Sequence, residues 1–396
     1  MEDKDEYNSN KICTPKAIIA LIIFCILAIA SIIVIVILVK KKDNFYDSYY
    51  ISDLIEEKEK DTNRILKYRK VDINKEHYIG KLNKNVKRTH VRYYNRYGIE
   101  LAGDLYTPKK LETNKKYSAV VIGPPYGGVK EQGPSIYANE LASRGFIALA
   151  FDPSFNGESG GKFRHISSSD IFMEDFSAGV DYLGTLNYVD REKIGGIGIC
   201  GSGGFLLGAA TIDIRIKVVI TVVMYDIPDL NYNETVFNNT LKNLKNQRWA
   251  DVDKGEQNYN IIYEPDKEYL NGSFPSPPSE PEEFKMWRIF YSTKRGHHPR
   301  SIGGFTDTSA FSLANLQITE KIGKISPRPI LFITGDKAHS KPFSEQAYDK
   351  AKEPKEIFQV NMSTIHIDLY DNVEMIPFDK IEDFLNENLN KTYNYN

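Results

Sequence analysis

Residues 193–205 read KIGGIGICGSGGF, and this stretch decides the fold. A glycine-interleaved apolar run ends at Ile199, and a segment compatible with a helix follows a few residues later. Small residues flank Cys200 on both sides, as a sharp turn from strand to helix requires, because bulk two positions away would clash. Gly198 and Ser202 occupy the two positions that are glycine in the usual G-x-S-x-G pattern, and cysteine replaces the central serine. The stretch therefore predicts a nucleophile elbow that presents a thiol.

Two other interpretations of the stretch compete with a cysteine elbow. Gly196, Gly198 and Gly201 loosely match the G-x-G-x-x-G motif of dinucleotide sites, but that motif belongs in the first strand–helix unit, with an acidic residue about 20 positions later. Here the glycines follow two earlier strand–helix units, and the Lys-Ser/Thr ending of a phosphate-binding P-loop is absent. Ser202 is the alternative nucleophile. It would require the strand to end two residues later and would misplace the glycines.

The composition is that of a globular protein with no expected nucleic-acid partner. The 396 residues have a formal net charge of −2, which gives no reason to expect binding to a phosphate backbone. Charged residues at 26% and aromatic residues at 12% are ordinary for a chain with a full hydrophobic core. Cys13 and Cys25 lie in or beside an apolar N-terminal segment, which leaves Cys200 as the one cysteine of the globular part. No internal disulfide framework is therefore expected there.

The N-terminal region predicts a membrane anchor. Residues 17–39 are apolar and uncharged, and as a helix they would measure roughly 35 Å, enough to cross a hydrocarbon core of about 30 Å. A cleavable signal peptide would be shorter and would end at a small-residue cleavage site, which is missing. We therefore predict an N-terminal tail at 1–16, a single-pass transmembrane helix at 17–39 and a juxtamembrane stalk at 40–87.

The side of the membrane on which the globular part lies stays open. Positive residues after the predicted span outnumber those before it, which favours a cytoplasmic catalytic domain. Triplets of the form N-x-S/T, such as the one at Asn233, would fit the opposite side, although such triplets arise by chance in an Asn-rich chain.

Strand-like and helix-like segments alternate over residues 88–396. The expected elements are a hairpin at 89–94 and 99–106, strands at 119–122, 147–151, 218–223, 329–334 and 357–360, and helices at 135–143, 171–186, 343–352 and 379–389. Such alternation predicts a mostly parallel sheet with helices on both faces. A block at about 226–306 interrupts the alternation and contains both tryptophans. We expect it to form a cap above the carboxyl ends of the strands, where such sheets place their chemistry.

A thiol at an elbow needs a base, and the base needs an orienting acid. The chain order at such elbows is nucleophile, acid and histidine, each after its own strand. His366 is the histidine that follows the last predicted strand, and Asp336 stands at the tip of the preceding strand. We therefore predict Cys200 as nucleophile, His366 as base and Asp336 as the acid that fixes the imidazole tautomer. His339 and Asp368 are the alternatives for base and acid.

An oxyanion hole needs two backbone N–H groups aimed at one point. Gly201 follows the nucleophile at the start of the helix and supplies the first group. The second is expected from Tyr126 or Gly127 in the loop after strand 119–122, where glycines allow the backbone to approach a substrate. Pro124 and Pro125 cannot donate, because proline has no backbone N–H.

Several separate segments resemble the α/β-hydrolases, and more narrowly a dienelactone-hydrolase-like group with cysteine at the elbow. They are residues 198–204 (GICGSGG), 127–132 (GGVKEQ), 364–371 (TIHIDLYD), 326–329 (SPRP), 338–340 (AHS) and 248–250 (RWA). The resemblance covers roughly residues 88–390 and implies Cys200, Asp336 and His366 as a catalytic triad. Some relatives in this group look like acyltransferases or thioesterases acting on polyketide-type acyl groups. The usual His-Gly of the oxyanion loop is replaced here by Pro124-Pro125-Tyr126.

These features predict a membrane-anchored hydrolase that cleaves ester, lactone or thioester groups through a covalent acyl-enzyme. A thiolate leaves easily from a tetrahedral adduct, so activated acyl groups suit Cys200 better than unactivated esters. The expected partners are a small-molecule acyl substrate and the membrane, with no cofactor and no metal. The alternatives are an acyltransferase on the same triad and a catalytically silent protein that binds a hydrophobic ligand. A nucleotide-binding protein ranks below both, and the sequence gives no oligomeric state.

Overall fold

A twisted sheet with a fixed strand order positions every predicted site residue. The computed structural model describes residues 77–227, 234–259, 261–263, 282–313 and 318–394. Within them the strands are β1 (Val86–Tyr94), β2 (Glu100–Pro108), β3 (Tyr117–Gly123), β4 (Ile147–Phe151), β5 (Val189–Ile199), β6 (Val218–Val222), β7 (Ile330–Gly335) and β8 (Lys355–Val360). They form an eight-stranded sheet in the order β1-β2-β4-β3-β5-β6-β7-β8. Strands β3 to β8 run parallel, and β2 is antiparallel to both of its neighbours, β1 and β4. The predicted sheet is confirmed.

Helices cover the sheet on both faces. The described helices are α1 (Gly133–Ser143), α2 (Ser169–Thr185), α3 (Gly201–Ile212), α4 (Glu234–Lys254), α5 (Glu282–Tyr291), α6 (Ala310–Leu313), α7 (Lys341–Lys350), α8 (Asp368–Asp371) and α9 (Phe378–Asn388). Consecutive strand residues point to opposite faces, and a Cβ on Gly195 would meet Leu385 of α9, whereas one on Gly196 would meet Leu206 of α3. The glycines that interleave β5 thus let helices pack closely against both faces.

The elbow helix α3 is held at its far end by a buried arginine. Arg328 has no exposed surface and lies in the SPRP segment that precedes β7. Its guanidinium donates hydrogen bonds to the carbonyl oxygens of Ala210 at 2.5 Å, Ile216 at 2.8 Å and Asp213 at 2.9 Å. A cation is favourable at this end of a helix, where carbonyl groups lack partners within the helix. Arg328 therefore fixes the end of the helix that starts at the predicted nucleophile.

The block at 226–306 contains more regular structure than the sequence pattern indicates. Helix α4 extends over 21 residues and α5 over 10. Charged and amide side chains occupy most of α4, and Leu244 is its buried apolar residue among those described. A helix without an apolar stripe gives no helical periodicity, which is why the sequence predicted an irregular cap here.

The predicted membrane anchor lies outside the described residues. The tail at 1–16, the span at 17–39 and the stalk as far as residue 76 all fall there. In the part of the chain that the structure describes, no helix has the length and apolar character needed to cross a bilayer.

Candidate active site

The elbow places Cys200 between a strand and a helix. β5 ends at Ile199 and α3 begins at Gly201, so Cys200 forms the turn itself. Its φ of 56° and ψ of −122° lie in a region that residues with a side chain rarely adopt. A Cβ on Gly198 would come within 2.3 Å of the carbonyl oxygen of Ser202, so that position requires glycine. Backbone strain of this kind costs about 1–3 kcal/mol and is typical of functional sites.

Two backbone N–H groups converge on the Cys200 sulfur. The donors belong to Tyr126, in the loop after β3, and to Gly201, the first residue of α3. The two residues are neighbours, because a Cβ on Gly201 would lie 2.8 Å from the Cβ of Tyr126. Gly127 instead makes the turn: its φ is +79°, and its carbonyl accepts a hydrogen bond from Ser301 at 2.8 Å. The sequence-predicted oxyanion residues thus lie together, with Tyr126 and Gly201 as the donors at the sulfur.

The Cys200 thiol is neutral in this environment. Only 6% of the residue is exposed, and burial raises the pKa of the thiol above its ordinary value of 9.0. Hydrogen bonds from Tyr370 and from the two backbone N–H groups favour the thiolate and offset part of that shift.

His366 lies in the same site and is also neutral. It follows β8, is fully buried, and burial holds the pKa of its imidazole well below its ordinary value, with His339 acting in the same direction. Its Nε2 atom lies 2.8 Å from the Tyr370 hydroxyl and its Nδ1 atom 2.6 Å from the Ser340 hydroxyl. A neutral imidazole has one donor and one acceptor nitrogen, so it donates to one hydroxyl and accepts from the other.

Asp336 stands at the edge of the site. It follows β7 as predicted, and its Oδ1 atom accepts a hydrogen bond from the backbone N–H of Thr364 at 2.7 Å. Among the described residues, no hydrogen bond joins the Asp336 carboxylate to the His366 ring, and Ser340 occupies the place where the predicted triad has its acid. Asp336 therefore holds the loop that carries His366, two residues before the imidazole.

The two alternative residues take other roles in this arrangement. The His339 ring centroid lies 4.8 Å from that of His366, beside the imidazole. Asp368 accepts a hydrogen bond from the backbone N–H of Ile365 at 3.1 Å and another from Arg295 at 3.0 Å. His339 thus belongs to the wall of the site, and Asp368 to the start of α8.

Ser202 lies within α3, and its side chain packs against Gly123, where an added Cβ would lie 2.8 Å from the Ser202 hydroxyl oxygen. It lines a small cavity together with Tyr126 and Phe205. The strained turn itself is at Cys200, which favours Cys200 over Ser202 as the nucleophile.

Sequence reasoning missed the residue that links the thiol to the imidazole. The Tyr370 hydroxyl bonds to His366 and faces the Cys200 sulfur, and the residue is 1% exposed. Its position four residues after His366 could have indicated the contact with the imidazole, because residues four apart share one face of a helical turn. The cap contributes Tyr291, which faces the Tyr370 hydroxyl. Tyr263 stacks on Tyr291 with ring centroids 4.8 Å apart.

A buried network of charged side chains stabilises the loop after β3. The Lys130 ammonium has no exposed surface and lies 2.6 Å from Glu131, 3.2 Å from Asp152 and 3.0 Å from Glu158. Oxygens of these three carboxylates lie within 4.8 Å of one another, close enough to ligate a metal ion. The Lys130 ammonium already supplies the positive charge at that point. Arg300, at the end of the cap block, joins the network through Glu131 at 2.6 Å.

Alkylation of Cys200 by iodoacetamide is expected to accelerate with pH and to reach half its maximal rate above pH 9. The thiolate is the reactive form, and burial raises the pKa of this thiol above 9.0. Peptide mass spectrometry separates Cys200 from Cys13 and Cys25. A rate plateau between pH 6 and 8, as a preformed thiolate–imidazolium pair would give, would contradict a neutral resting site.

The sheet order and the strained elbow are those of the α/β-hydrolase fold. The chain belongs to the family of two uncharacterised bacterial proteins. PA2218 of Pseudomonas aeruginosa is 44% identical over 318 residues, which are 78% of this chain and 82% of that protein. YcjY of Escherichia coli is 34% identical over 290 residues, 69% of this chain and 89% of that protein. No family model matches the chain.

Solved structures share the fold, and two fungal proteins match part of the chain. The crystal structure of PA2218 has a TM-score of 0.74 at 41% identity and covers 80% of this chain and 99% of its own. The α/β hydrolase GrgF from Penicillium sp. sh18 shares the fold, with a TM-score of 0.64 at 22% identity over 76% of this chain and 99% of its own. Two fungal matches cover 125 residues, 32% of this chain. They are the thiohydrolase aneE of Aspergillus aculeatus (33% identical, 38% of its length) and the polyketide transferase claH of Penicillium crustosum (34% identical, 40% of its length).

Proposed function

We propose that this chain cleaves ester, lactone or thioester bonds through a covalent acyl-enzyme on Cys200. The observation that carries the proposal is the convergence of the Tyr126 and Gly201 N–H groups on the sulfur of a strained elbow cysteine. Donors aimed at one point are what a tetrahedral oxyanion requires. A turn that only packs a helix against the sheet would not need such donors.

The reaction begins when an acyl carbonyl takes over the two N–H donors from the sulfur. The thiol proton passes toward His366, and Cys200 attacks the carbonyl carbon. The oxyanion then accepts hydrogen bonds from Tyr126 and Gly201, each commonly stabilising the transition state by about 3–4 kcal/mol. Asp336 supports the base through the Thr364 backbone in this proposal, completing a Cys-His-Asp arrangement in which the acid acts on the loop.

Thioesters and lactones are the substrate class that fits this nucleophile. A thiolate is a good leaving group from the tetrahedral adduct, so the acyl substituent must leave at least as easily as Cys200. The thiohydrolase and polyketide transferase matches support an acyl group of this kind, as does the resemblance to dienelactone-hydrolase-like enzymes. Water as acceptor gives hydrolysis, and an alcohol or amine gives acyl transfer. Neither route calls for a cofactor or a metal ion.

The predicted anchor at 17–39 would hold this activity at a membrane surface, on the cytoplasmic side in our proposal. The substrate would then be a small acyl compound that reaches the site from the cytoplasm or from the adjoining leaflet.

A catalytically silent binding protein is the second candidate. The specific observation in its favour is the neutral thiol, whose pKa is raised by burial and whose sulfur occupies the donors that a substrate needs. A protein of this kind would hold a hydrophobic acyl compound without cleaving it.

Intact-mass spectrometry after exposure to acyl thioesters and p-nitrophenyl esters tests the proposal. The wild-type chain is expected to gain the mass of one acyl group and to turn over the ester. Cys200→Ala is expected to lose both properties, and Ser202→Ala, which removes a hydroxyl outside the donor site, to keep the adduct. Absence of an adduct on every residue of the wild-type chain would favour the binding protein. An adduct lost only in Ser202→Ala would overturn Cys200 as the nucleophile.

A further inference from the structure

The thiol and the imidazole are joined by a third side chain. The Tyr370 hydroxyl lies 2.8 Å from His366 Nε2 and faces the Cys200 sulfur. Among the described residues, the hydrogen bonds of the His366 ring go to Tyr370 and Ser340. The base therefore meets the nucleophile through a phenol.

Tyr370 is held in place from several sides. Arg295 binds both carboxylate oxygens of Asp371 at 2.7 and 2.8 Å, and also Asp368 at 3.0 Å, so it clamps the short helix α8. The Tyr137 hydroxyl donates to the carbonyl oxygen of Leu369 at 2.6 Å, one residue before Tyr370. A hydroxyl fixed this firmly keeps one orientation toward the thiol and the imidazole.

The geometry points to Tyr370 as the catalytic residue that carries the proton between Cys200 and His366. This inference rests on the proposed acyl-enzyme chemistry and adds a residue to it. Phenols both donate and accept hydrogen bonds, so a hydroxyl between a thiol and an imidazole can pass a proton without becoming an ion.

The forward step balances as two linked proton transfers. The S–H bond of Cys200 breaks as a new O–H bond forms on Tyr370, and the original O–H bond of Tyr370 breaks as an N–H bond forms on His366 Nε2. The sulfur electron pair forms the S–C bond, and the carbonyl π pair becomes the oxyanion. On collapse, the C=O bond re-forms and the bond to the leaving group breaks. The leaving group takes its proton back from His366, through Tyr370.

The chain keeps the relay neutral outside the reaction. Burial raises the pKa of the Tyr370 phenol well above its ordinary value, so a standing tyrosinate is disfavoured. The titratable groups that face the hydroxyl are Cys200, His366, Tyr291 and Tyr225. Tyr291 faces the Tyr370 hydroxyl from the cap.

Tyr370→Phe in the full-length chain tests the relay, with Tyr106→Phe as the matched control. Both variants lose one buried phenol hydroxyl, and Tyr106 lies on β2 opposite Ala148 near the start of β4, at the other end of the parallel strands from Cys200. Single-turnover acylation by a thioester, followed by thiol release, is expected to slow by roughly 100-fold or more in Tyr370→Phe, the range for loss of general acid–base catalysis. Its rate is expected to climb with pH into the alkaline range, where ionised Cys200 no longer needs the relay. Tyr106→Phe is expected to keep the wild-type rate and pH profile.

An unchanged or faster acylation in Tyr370→Phe would overturn the relay and show that Tyr370 only holds the thiol at rest. A proton inventory on the wild-type chain, which needs no variant, is expected to be curved because two protons move; a linear inventory would overturn the relay. A wild-type chain that forms no adduct at any pH would reject the acyl-enzyme itself. That result is distinct from a Tyr370→Phe chain that acylates normally.

Discussion

Lys130→Met is expected to lower the free energy of unfolding by about 3–5 kcal/mol, the cost of removing one partner from a buried ion pair. The ammonium and the Asp152 side chain have no exposed surface, Glu131 is 4% exposed and Glu158 25%. Methionine matches the length of the stem but leaves these carboxylates without their cation. Urea unfolding of the full-length chain, followed by circular dichroism, measures the difference.

The pH dependence of this loss has a defined sign. Burial opposes ionisation of Glu158, but Lys130 and Arg300 together outweigh it, and the pKa of Glu158 falls from 4.5 to about 2. A carboxyl with a lowered pKa in the folded state stabilises the fold fully above its ordinary pKa and loses that contribution as pH falls toward 2. The gap between wild type and Lys130→Met is therefore expected to be largest near pH 7 and to shrink below pH 4.5.

Lys115→Met is the matched control for this change. Lys115 also pairs with a carboxylate, that of Glu112 at 2.7 Å, but both side chains are more than half exposed. Exposed pairs contribute about 0–1 kcal/mol. Equal losses in Lys130→Met and Lys115→Met would show that the buried network is not what stabilises the oxyanion loop.

Gly198→Ala is expected to destabilise the domain by about 3 kcal/mol or more, beyond the usual cost of overpacking a core. The added Cβ would lie 2.3 Å from the Ser202 carbonyl oxygen, 2.6 Å from its carbonyl carbon and 2.7 Å from Gly203 Cα. All three are backbone atoms of the first turn of α3, so relief requires the elbow itself to move. A lower melting temperature and loss of the Cys200 acyl adduct are expected together.

Gly195→Ala provides the comparison on the same strand. Its added Cβ would come no closer than 3.3 Å, to a Leu385 side-chain carbon and to the Val218 carbonyl oxygen. Leu385 can adjust, so a smaller loss of stability and an intact adduct are expected. Similar effects of the two substitutions would mean that the elbow tolerates a side chain at Gly198.

The sequence predicted the sheet and the turn because both depend on local patterns. Short apolar runs separated by helical segments specify a parallel sheet, and the small residues around Cys200 specify its turn. The hairpin was equally readable: Gly98, at its tip, has a φ of +75°. The donor loop at Tyr126 followed from the order of the strands.

The partners of His366 could not be predicted in the same way. Asp336 and Ser340 both lie in the turn after β7, and a carboxylate is the usual orienting group. Which of them meets the imidazole depends on the path of the backbone, which directs Asp336 to the Thr364 N–H and Ser340 to Nδ1. Tyr370 was missed because residues 368–371 carry no helical signal of their own, although they form α8.

The buried charge network could not be predicted from the types of residue that form it. Lys130, Glu131 and Glu158 stand in loops rich in glycine and charge, which usually face water. Lys130 is buried because the loops after β3 and β4 and the end of the cap block pack together around it.

The final part of the cap block is fastened to the catalytic loops at successive residues. Arg295 binds α8, Gln132 donates to the Gly296 carbonyl at 2.6 Å, Arg300 binds Glu131, and Ser301 binds the Gly127 carbonyl. Substitutions that change substrate preference within this family are therefore expected at cap positions before residue 295, and residues 295–301 are expected to stay unchanged. A chimeric protein that exchanges cap sequence between relatives is best joined before Arg295, because a junction within residues 295–301 would displace the loops that carry the proposed oxyanion donors.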